Sequence, residues 1–386
     1  MKRIFLFVFI AMSLNTFGQQ KTAQGIVAPV LPAMSKSEIK AGLKTHNKAL
    51  YIKEHWIRDP YIILGPDNYY YLTGTTANPD DSREQSDPYN KGLFEGSIVG
   101  SKVQLWISKN LIDWKYLGTP YSIEDAYLFD NKSKDRNVPL WAPEIHWVDG
   151  KWALVHCPSG NSSLAFSEGK NVEAPWTHTM GKAFHKKHDP SLFQDDDGSW
   201  YALWANTYIA KINDDFSGFA SKPYFIRPSS KRPNPNNPEK MISRIGHEGA
   251  TMRKIGGKYV SFGTAWSTDK MRKGSYNLYY CVADEILGEY GPRKFVGRFL
   301  GHGTPFQDKE GRWWCTAFYN GDVPPLEKDG IQEKDLSKTA QTINQRGTTI
   351  VPLEVKVLDN GEIYIRAKDP AYAMPGPDEN QDFNLQ

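Results

Sequence analysis

The chain is short of cysteine, of net charge and of hydrophobic runs of membrane length, and each shortage narrows what it can be. Three cysteines, Cys157, Cys281 and Cys315, stand in 386 residues, so at least one thiol is unpaired. All three lie in apolar or aromatic strand-like runs and are expected as buried thiols that behave as small hydrophobes. One disulfide among the three is the alternative, and a thiol nucleophile is disfavoured. The formal net charge is only +3, without the strong basic stripe of a dedicated nucleic-acid binder, so no nucleic-acid partner is expected. Past the first residues no stretch approaches the roughly 20 apolar residues of a bilayer span. A helical period of 3.6 is also missing between the strand-like runs, which argues against βαβ units. Aromatic side chains, by contrast, are plentiful, with 12 Trp, 20 Tyr and 18 Phe to fill a large core.

The ends of the chain read differently from its middle. Lys2 and Arg3, the apolar run 4–11 and the small residues around Thr16 and Gly18 have the order of a secretory signal cut before Gln19. The mature protein is therefore expected in the periplasm or outside the cell. Residues 19–45 form a polar N-terminal leader with a short helix expected over 35–43, and residues 368–386 read as a flexible, Pro-rich acidic tail. Segments 79–97, 122–137 and 227–239 read as long loops of the kind that shape binding sites on rigid scaffolds.

Between the ends, one unit recurs. It opens on a polar or acidic residue, continues as a short apolar strand, turns on Gly or Asn, and returns as an aromatic-rich strand. Copies begin at Asp59, Asp189, Glu248 and His302; a copy beginning at Ala142 is one residue shorter. The Asp-Asn, Asp-Gly and Gly-Gly pairs at the turns tolerate positive φ and are hairpin chemistry. Blocks of roughly 45–85 residues built from short antiparallel strands fit propeller blades. The reading is an all-β, five-bladed β-propeller over residues 46–367, a single catalytic domain, with a β-sandwich of similar hairpins as the alternative. The fifth blade would be completed by 347–357 and 363–366, and the strand that closes the ring is not legible.

In a propeller the first strand of each blade lines the central channel, so the opening residues converge at one end of one funnel. Asp59, Asp189 and Glu248 would meet there, with Glu144 two residues beyond Ala142 on the same face of its strand. Crowded like charges raise the pKa of at least one member. That is how a site keeps one carboxyl protonated while another stays ionised, and glycoside hydrolysis needs such a pair.

The motifs Arg58-Asp59-Pro60, Trp141-Ala-Pro-Glu-Ile-His146, His188-Asp-Pro-Ser-Leu-Phe193 and His247-Glu-Gly-Ala250 resemble glycoside hydrolase family 43 and its close relatives. Gly301-His302-Gly303, ahead of the Phe306 to Trp314 stretch, fits the same group, and the resemblance spans roughly residues 50 to 366. It implies a five-bladed propeller that hydrolyses with inversion. Asp59 then corresponds to the general base, Asp189 to the acid that tunes pKa and orients the donor, and Glu248 to the general acid. His302 corresponds to a channel histidine that in many members lies near a hydrated calcium, so a structural, water-mediated Ca2+ is possible there while no cofactor is required. Some retaining propeller families use the first-blade Asp as nucleophile, and resemblance to a neighbouring family that uses a His as acid keeps His302 and His247 open as proton donors.

Supporting residues follow. Trp141 and Trp266 are candidates to stack on a sugar face, or to pack between blades. Arg346 is placed to reach a sugar hydroxyl or carboxylate, and His188, His247 and Glu144 complete the expected substrate-binding set. The expected partner is an oligosaccharide or polysaccharide from plant or algal material, cut by an exo-acting arabinofuranosidase- or xylosidase-like enzyme. A retaining glycosidase or transferase and a non-catalytic carbohydrate-binding propeller are the alternatives. Nothing in the sequence demands a particular oligomeric state.

Overall fold

The computed structural model describes residues 19–21, 27–29, 34–54, 56–81, 98–126, 138–169, 171–173, 175–234, 237–269, 273–318 and 347–383. The signal-like segment 1–18, Arg346, and most of the loops expected over 79–97 and 122–137 lie outside them.

Five antiparallel sheets follow one another along the chain. Blade I comprises Ile57–Leu64, Tyr70–Thr76, Lys102–Ser108 and Lys115–Ser122. Blade II comprises Leu140–Val148, Lys151–Pro158, Ser163–Ser167 and Trp176–Thr177. Blade III runs Ser191–Gln194, Trp200–Trp204, Tyr208–Lys211 and Tyr224–Phe225. Blade IV runs Glu248–Ile255, Lys258–Trp266, Tyr276–Ala283 and Lys294–Gly297. Blade V is built from Pro305–Gln307, Trp313–Phe318, Gly347–Val357 and Ile363–Ala367. This is the five-bladed propeller expected from the repeat.

The ring is closed by the N-terminal side of the chain. Leu50–Glu54, immediately ahead of blade I, pairs with the first half of Gly347–Val357, while Ile363–Ala367 pairs with its second half. One long strand thus holds both chain ends in blade V. Ahead of the closing strand, Ser35 caps the helix Lys36–Thr45 through a reciprocal capping box with Glu38. Ile39 and Leu43 turn from this helix into the seam between blades V and I.

Five clusters of buried side chains occupy the five blade-to-blade seams. The core of a propeller is therefore distributed around the ring, and the axis is left to polar residues. Cys157, Cys281 and Cys315 are free, buried thiols. Burial raises all three above the usual thiol range, which leaves them inert.

Two expectations change. Segment 227–239, read as a loop, contains the strand Arg232–Asn234 of a hairpin, and Arg232 is buried against Asp269. The flexible tail expected over 368–386 is instead packed through residue 383. Tyr372 of the short helix Pro370–Ala373 and Asp378 are both buried, and the Phe383 ring lies 5.7 Å from Tyr279 and 5.9 Å from Phe295.

Candidate active site

The inner strands deliver their site residues through a repeated backbone irregularity. In blade I pairing breaks between Arg58 and Tyr61, in blade II between Trp141 and Glu144, and in blade IV between Glu248 and Thr251. At each break two residues on the inner strand oppose one on its partner, which is a β-bulge and re-aims the side chain it carries. The bulged residues are left-handed: Asp59 at φ 51°, Ala142 at 42° and Gly249 at 70°, with Asp189 of blade III also at 54°. Asp tolerates this region, and Ala is strained there.

This register corrects the repeat. Gly249, not Glu248, is the counterpart of Ala142, and each lies eight residues before the glycine at the second position of a two-residue hairpin turn (Gly257 and Gly150). Glu248 therefore matches Trp141 and Arg58, one residue ahead of the bulge. Asp59 and Asp189 are buried at 7% exposure, whereas the Glu248 side chain is 23% exposed. One carboxylate thus stands at the open mouth and two stand at the floor. Glycine is required at 249 beyond its φ, because a Cβ there would lie 2.9 Å from the His302 ring.

On the floor, His302 sits between the aspartates. Its Nδ1 is 3.3 Å from Asp59 Oδ1 and 3.5 Å from Asp189 Oδ2. Burial alone would lower the imidazole pKa, but Asp189 and Asp59 outweigh it and push it up to about 10. Burial would likewise raise the Asp59 carboxyl, and His302 and Arg58 outweigh it, holding it below the ordinary range. Between these two groups the proton is thus directed to the His302 imidazole and away from the Asp59 carboxyl. Thr75 Oγ1 donates to Asp59 Oδ2 at 2.9 Å and accepts from the Ala142 N–H at 2.7 Å, so it is locked as a donor. Asp59 Oδ1, by contrast, has no well-aligned donor. Asp189 Oδ2 accepts the Gly249 N–H at 3.0 Å.

Around the mouth, His188, Asp189 and Glu248 bring one ligating atom each within 4.8 Å of one another. His188 Nε2 is 3.1 Å from the His247 carbonyl, and His247 Nε2 is 3.9 Å from Glu248 Oε2. Asp189 raises the pKa of His188 against a smaller opposing effect of burial, and Glu248 adds to the rise. Trp266 packs on Tyr276 with ring centroids 4.5 Å apart, and Tyr276 lies 5.9 Å from the His247 ring. Trp141 is partly exposed beside Arg58, whose guanidinium is 6.0 Å from its ring. Glu144 is placed differently from the rest. It lies one level deeper in the channel, where Oε2 accepts from Ser191 Oγ at 2.7 Å and is 3.0 Å from His146 Nε2.

Sequence reasoning missed Thr75, Arg58 and Tyr276. Thr75 and Tyr276 come from second and third strands, which carry no motif of their own; Arg58 was in view only as the neighbour of Asp59.

Breaking the floor cluster has a thermodynamic signature. His302→Asn leaves two buried carboxylates with only Arg58, beside Asp59, as counter-charge, and a loss of about 3 kcal/mol is expected. Because the folded pKa lies above the ordinary 6.5, this contribution is fully present below about pH 6.5 and is lost as pH rises through about 10. Denaturant titration of wild type and variant should therefore give a stability gap that is widest near pH 6 and closes toward pH 10. A pH-independent gap contradicts the assignment.

The five-bladed ring thus sets Asp59 and Asp189 at the floor of one channel and Glu248 at its mouth. Residues 52–239 match the profile described as Glycosyl hydrolases family 43. That span is just under half of the chain, and over it the protein is similar to this family. A putative β-xylosidase of Escherichia coli (strain K12) is 28% identical over 140 residues, 34% of this chain and 25% of that protein. A xylan 1,3-β-xylosidase of a Vibrio species is 27% identical over 153 residues, 38% of this chain and 24% of that one. The chain thus matches about a quarter of each of these relatives. Among solved structures, an endo-1,4-β-xylanase from Bacteroides thetaiotaomicron aligns over 84% of this chain and 99% of its own, with TM-score 0.55 and 21% identity. A family 43 protein from Bacillus licheniformis aligns over 85% and 59%, with TM-score 0.56 and 17% identity. At these identities the structural matches speak for the fold.

Proposed function

We propose that the protein is a glycoside hydrolase acting on xylan- or arabinan-type polysaccharide fragments, with inversion and from a chain end. Asp59 serves as general base, Glu248 as general acid, and Asp189 orients the donor sugar and the Glu248 wall. The observation that carries this reading is the unequal placement of the carboxylates. Asp59 is buried, ionised and has one oxygen without an aligned donor, while Glu248 stands partly open at the mouth. An inverting site needs a carboxylate to activate water on one side of the sugar and an acid on the other. The xylan 1,3-β-xylosidase and a probable arabinan endo-1,5-α-L-arabinosidase A of Emericella nidulans, 24% identical over 194 residues (44% of this chain and 56% of that one), support the substrate class.

The test is a panel of aryl xylosides and arabinofuranosides together with xylo- and arabino-oligosaccharides, with NMR of the first-formed anomer. Release of single residues with inverted configuration is expected. Internal cleavage makes the enzyme endo-acting, retention makes Asp59 a nucleophile, and intact binding throughout replaces catalysis by sugar binding. Export is proposed on the signal-like 1–18 segment, and cell fractionation that leaves the protein in the cytoplasm refutes it.

Hydrolysis by this site is proposed to need no metal. The donor set around His302 does not fit a resident calcium, which takes six to eight oxygens. His302 turns Nδ1 to two carboxylates and holds its proton, so that nitrogen has no lone pair to offer. Imidazolium and Arg58 also offset the charge of Asp59 and Asp189. Chelation with EDTA followed by calcium addition should leave kcat within about twofold; a tenfold loss restored by calcium rejects this reading.

A further inference from the structure

The C-terminal segment beyond the fifth blade is packed against the parts of blade IV that build the site. Asp378 is buried and reaches three points. Its Oδ1 accepts from Arg298 Nη2 at 2.5 Å, while Oδ2 accepts from Ser267 Oγ, Ser275 N and Ser275 Oγ, each at 2.6 Å. The next residue, Glu379, accepts from Tyr279 OH at 2.7 Å and Asn277 Nδ2 at 3.2 Å. The backbone adds a further tie, Asn380 N–H to the Ser267 carbonyl at 2.9 Å. Gly376 fits only without a side chain, since a Cβ there would lie 2.2 Å from Asp378 Oδ1 and 2.3 Å from Arg298 Cζ.

Two routes lead from these contacts to the funnel. Ser267 and Ser275 form the neck of the hairpin whose next residues inward are Trp266 and Tyr276, the aromatic pair beside His247. Arg298 and Phe299 begin the segment 298–302 that ends at His302. Phe299 is left-handed at φ 60°, and its N–H is held at 3.0 Å by Asn277 Oδ1, the other end of the amide that Glu379 engages. Gly301 N–H then bonds the Tyr276 carbonyl at 3.1 Å, one residue before His302. The tail's contacts thus fall on both supports of that wall, the Ser267–Ser275 neck and the Arg298–Phe299 turn.

We propose that Asp378 and Glu379 are positioning residues of the active site: they set the segment that delivers His302 between Asp59 and Asp189, and the hairpin neck that presents Trp266 and Tyr276. The proposal rests on the funnel being the catalytic site. A displacement of about 1 Å at a catalytic constellation is enough to cost about 100-fold in rate.

The test uses the full chain with Asp378→Asn and Glu379→Gln. The control is Asp195→Asn, which loses contacts to Lys254 and Tyr259 on another part of the ring. Imidazole-15N NMR, with the His302 signal identified by its disappearance in His302→Asn, reads the channel directly. Steady-state kinetics on a glycoside turned over by wild type reads the consequence. Asp378→Asn should displace the His302 signal and lower kcat about 10- to 100-fold with KM changed less than about threefold, while the control does neither. Glu379→Gln, which keeps its shape, should shift both readouts in the same direction and carries the test if Asp378→Asn does not fold. A lowered melting temperature with an unmoved His302 signal and unchanged kcat overturns the proposal, as does an equal loss in the control. Should wild type hydrolyse no glycoside, the functional reading fails, and the NMR comparison still decides whether the tail positions His302.

Discussion

Asp59→Asn is expected to lower kcat by about 10³-fold or more while leaving the fold intact. The magnitude is that of a general base whose removal leaves water unactivated, about 10²–10⁴-fold and so about 3–5 kcal/mol of transition-state stabilisation. Asparagine is the right replacement because residue 59 stands at φ 51°, a conformation that Asn adopts readily and Ala does not. The amide keeps the contact to Thr75 through its carbonyl oxygen and presents an N–H in place of Oδ1. That N–H faces His302 Nδ1, so the imidazole loses one of the two carboxylates that hold its proton. Its pKa should fall from about 10, giving a second signature visible in the His302 titration. Near-wild-type turnover in the variant assigns the base to another group. A KM rise with kcat unchanged makes Asp59 a binding residue only.

The parts of this site that were legible are those whose chemistry and spacing coincide. Asp-Pro at 59 and 189 opens a strand and places a carboxylate at the channel in one stroke, so the repeat reveals both. Glu248 shows the limit of that logic. Turn spacing aligned it with Asp59, but the Gly256–Gly257 turn is a two-residue hairpin like Asp149–Gly150, and the bulge sits one residue later, at Gly249. The left-handed conformation of Ala142 is unreadable in principle, since its residue type disfavours it and surrounding structure imposes it. His302 could be placed in the channel, but not as the proton carrier between two aspartates, because that depends on distances across three blades. The packed tail was misread for a related reason. Pro-rich acidic composition describes a solvated strand of chain unless a partner such as the fully buried Arg298 waits inside the fold, and Arg298 lies 80 residues earlier. The closing strand Leu50–Glu54 carries no motif, and only its pairing with Gly347–Ile350 reveals its role.

Glu248→Gln is the second large effect, and its form separates acid from base. A general acid is needed in proportion to the basicity of the departing oxygen. For xylo- or arabino-oligosaccharides, whose leaving group is a sugar alkoxide, kcat should fall about 10²–10⁴-fold. For a dinitrophenyl glycoside, whose leaving group departs without a proton, the fall should be within about tenfold. Asp59→Asn, which removes water activation, should depress both substrates alike. The side chain at 248 is 23% exposed and adjoins His247 at 3.9 Å, so the neutral amide leaves no buried charge uncompensated and stability should change little. Position 248 precedes the bulge and leans to the mouth, which in the proposed mechanism is the leaving-group side, and Asp59 on the floor is there assigned the attacking water. Equal losses on good and poor leaving groups would give Glu248 a role other than proton donation. A retained activity on oligosaccharides would pass that role to His247 or His188, the imidazoles within reach of the same wall.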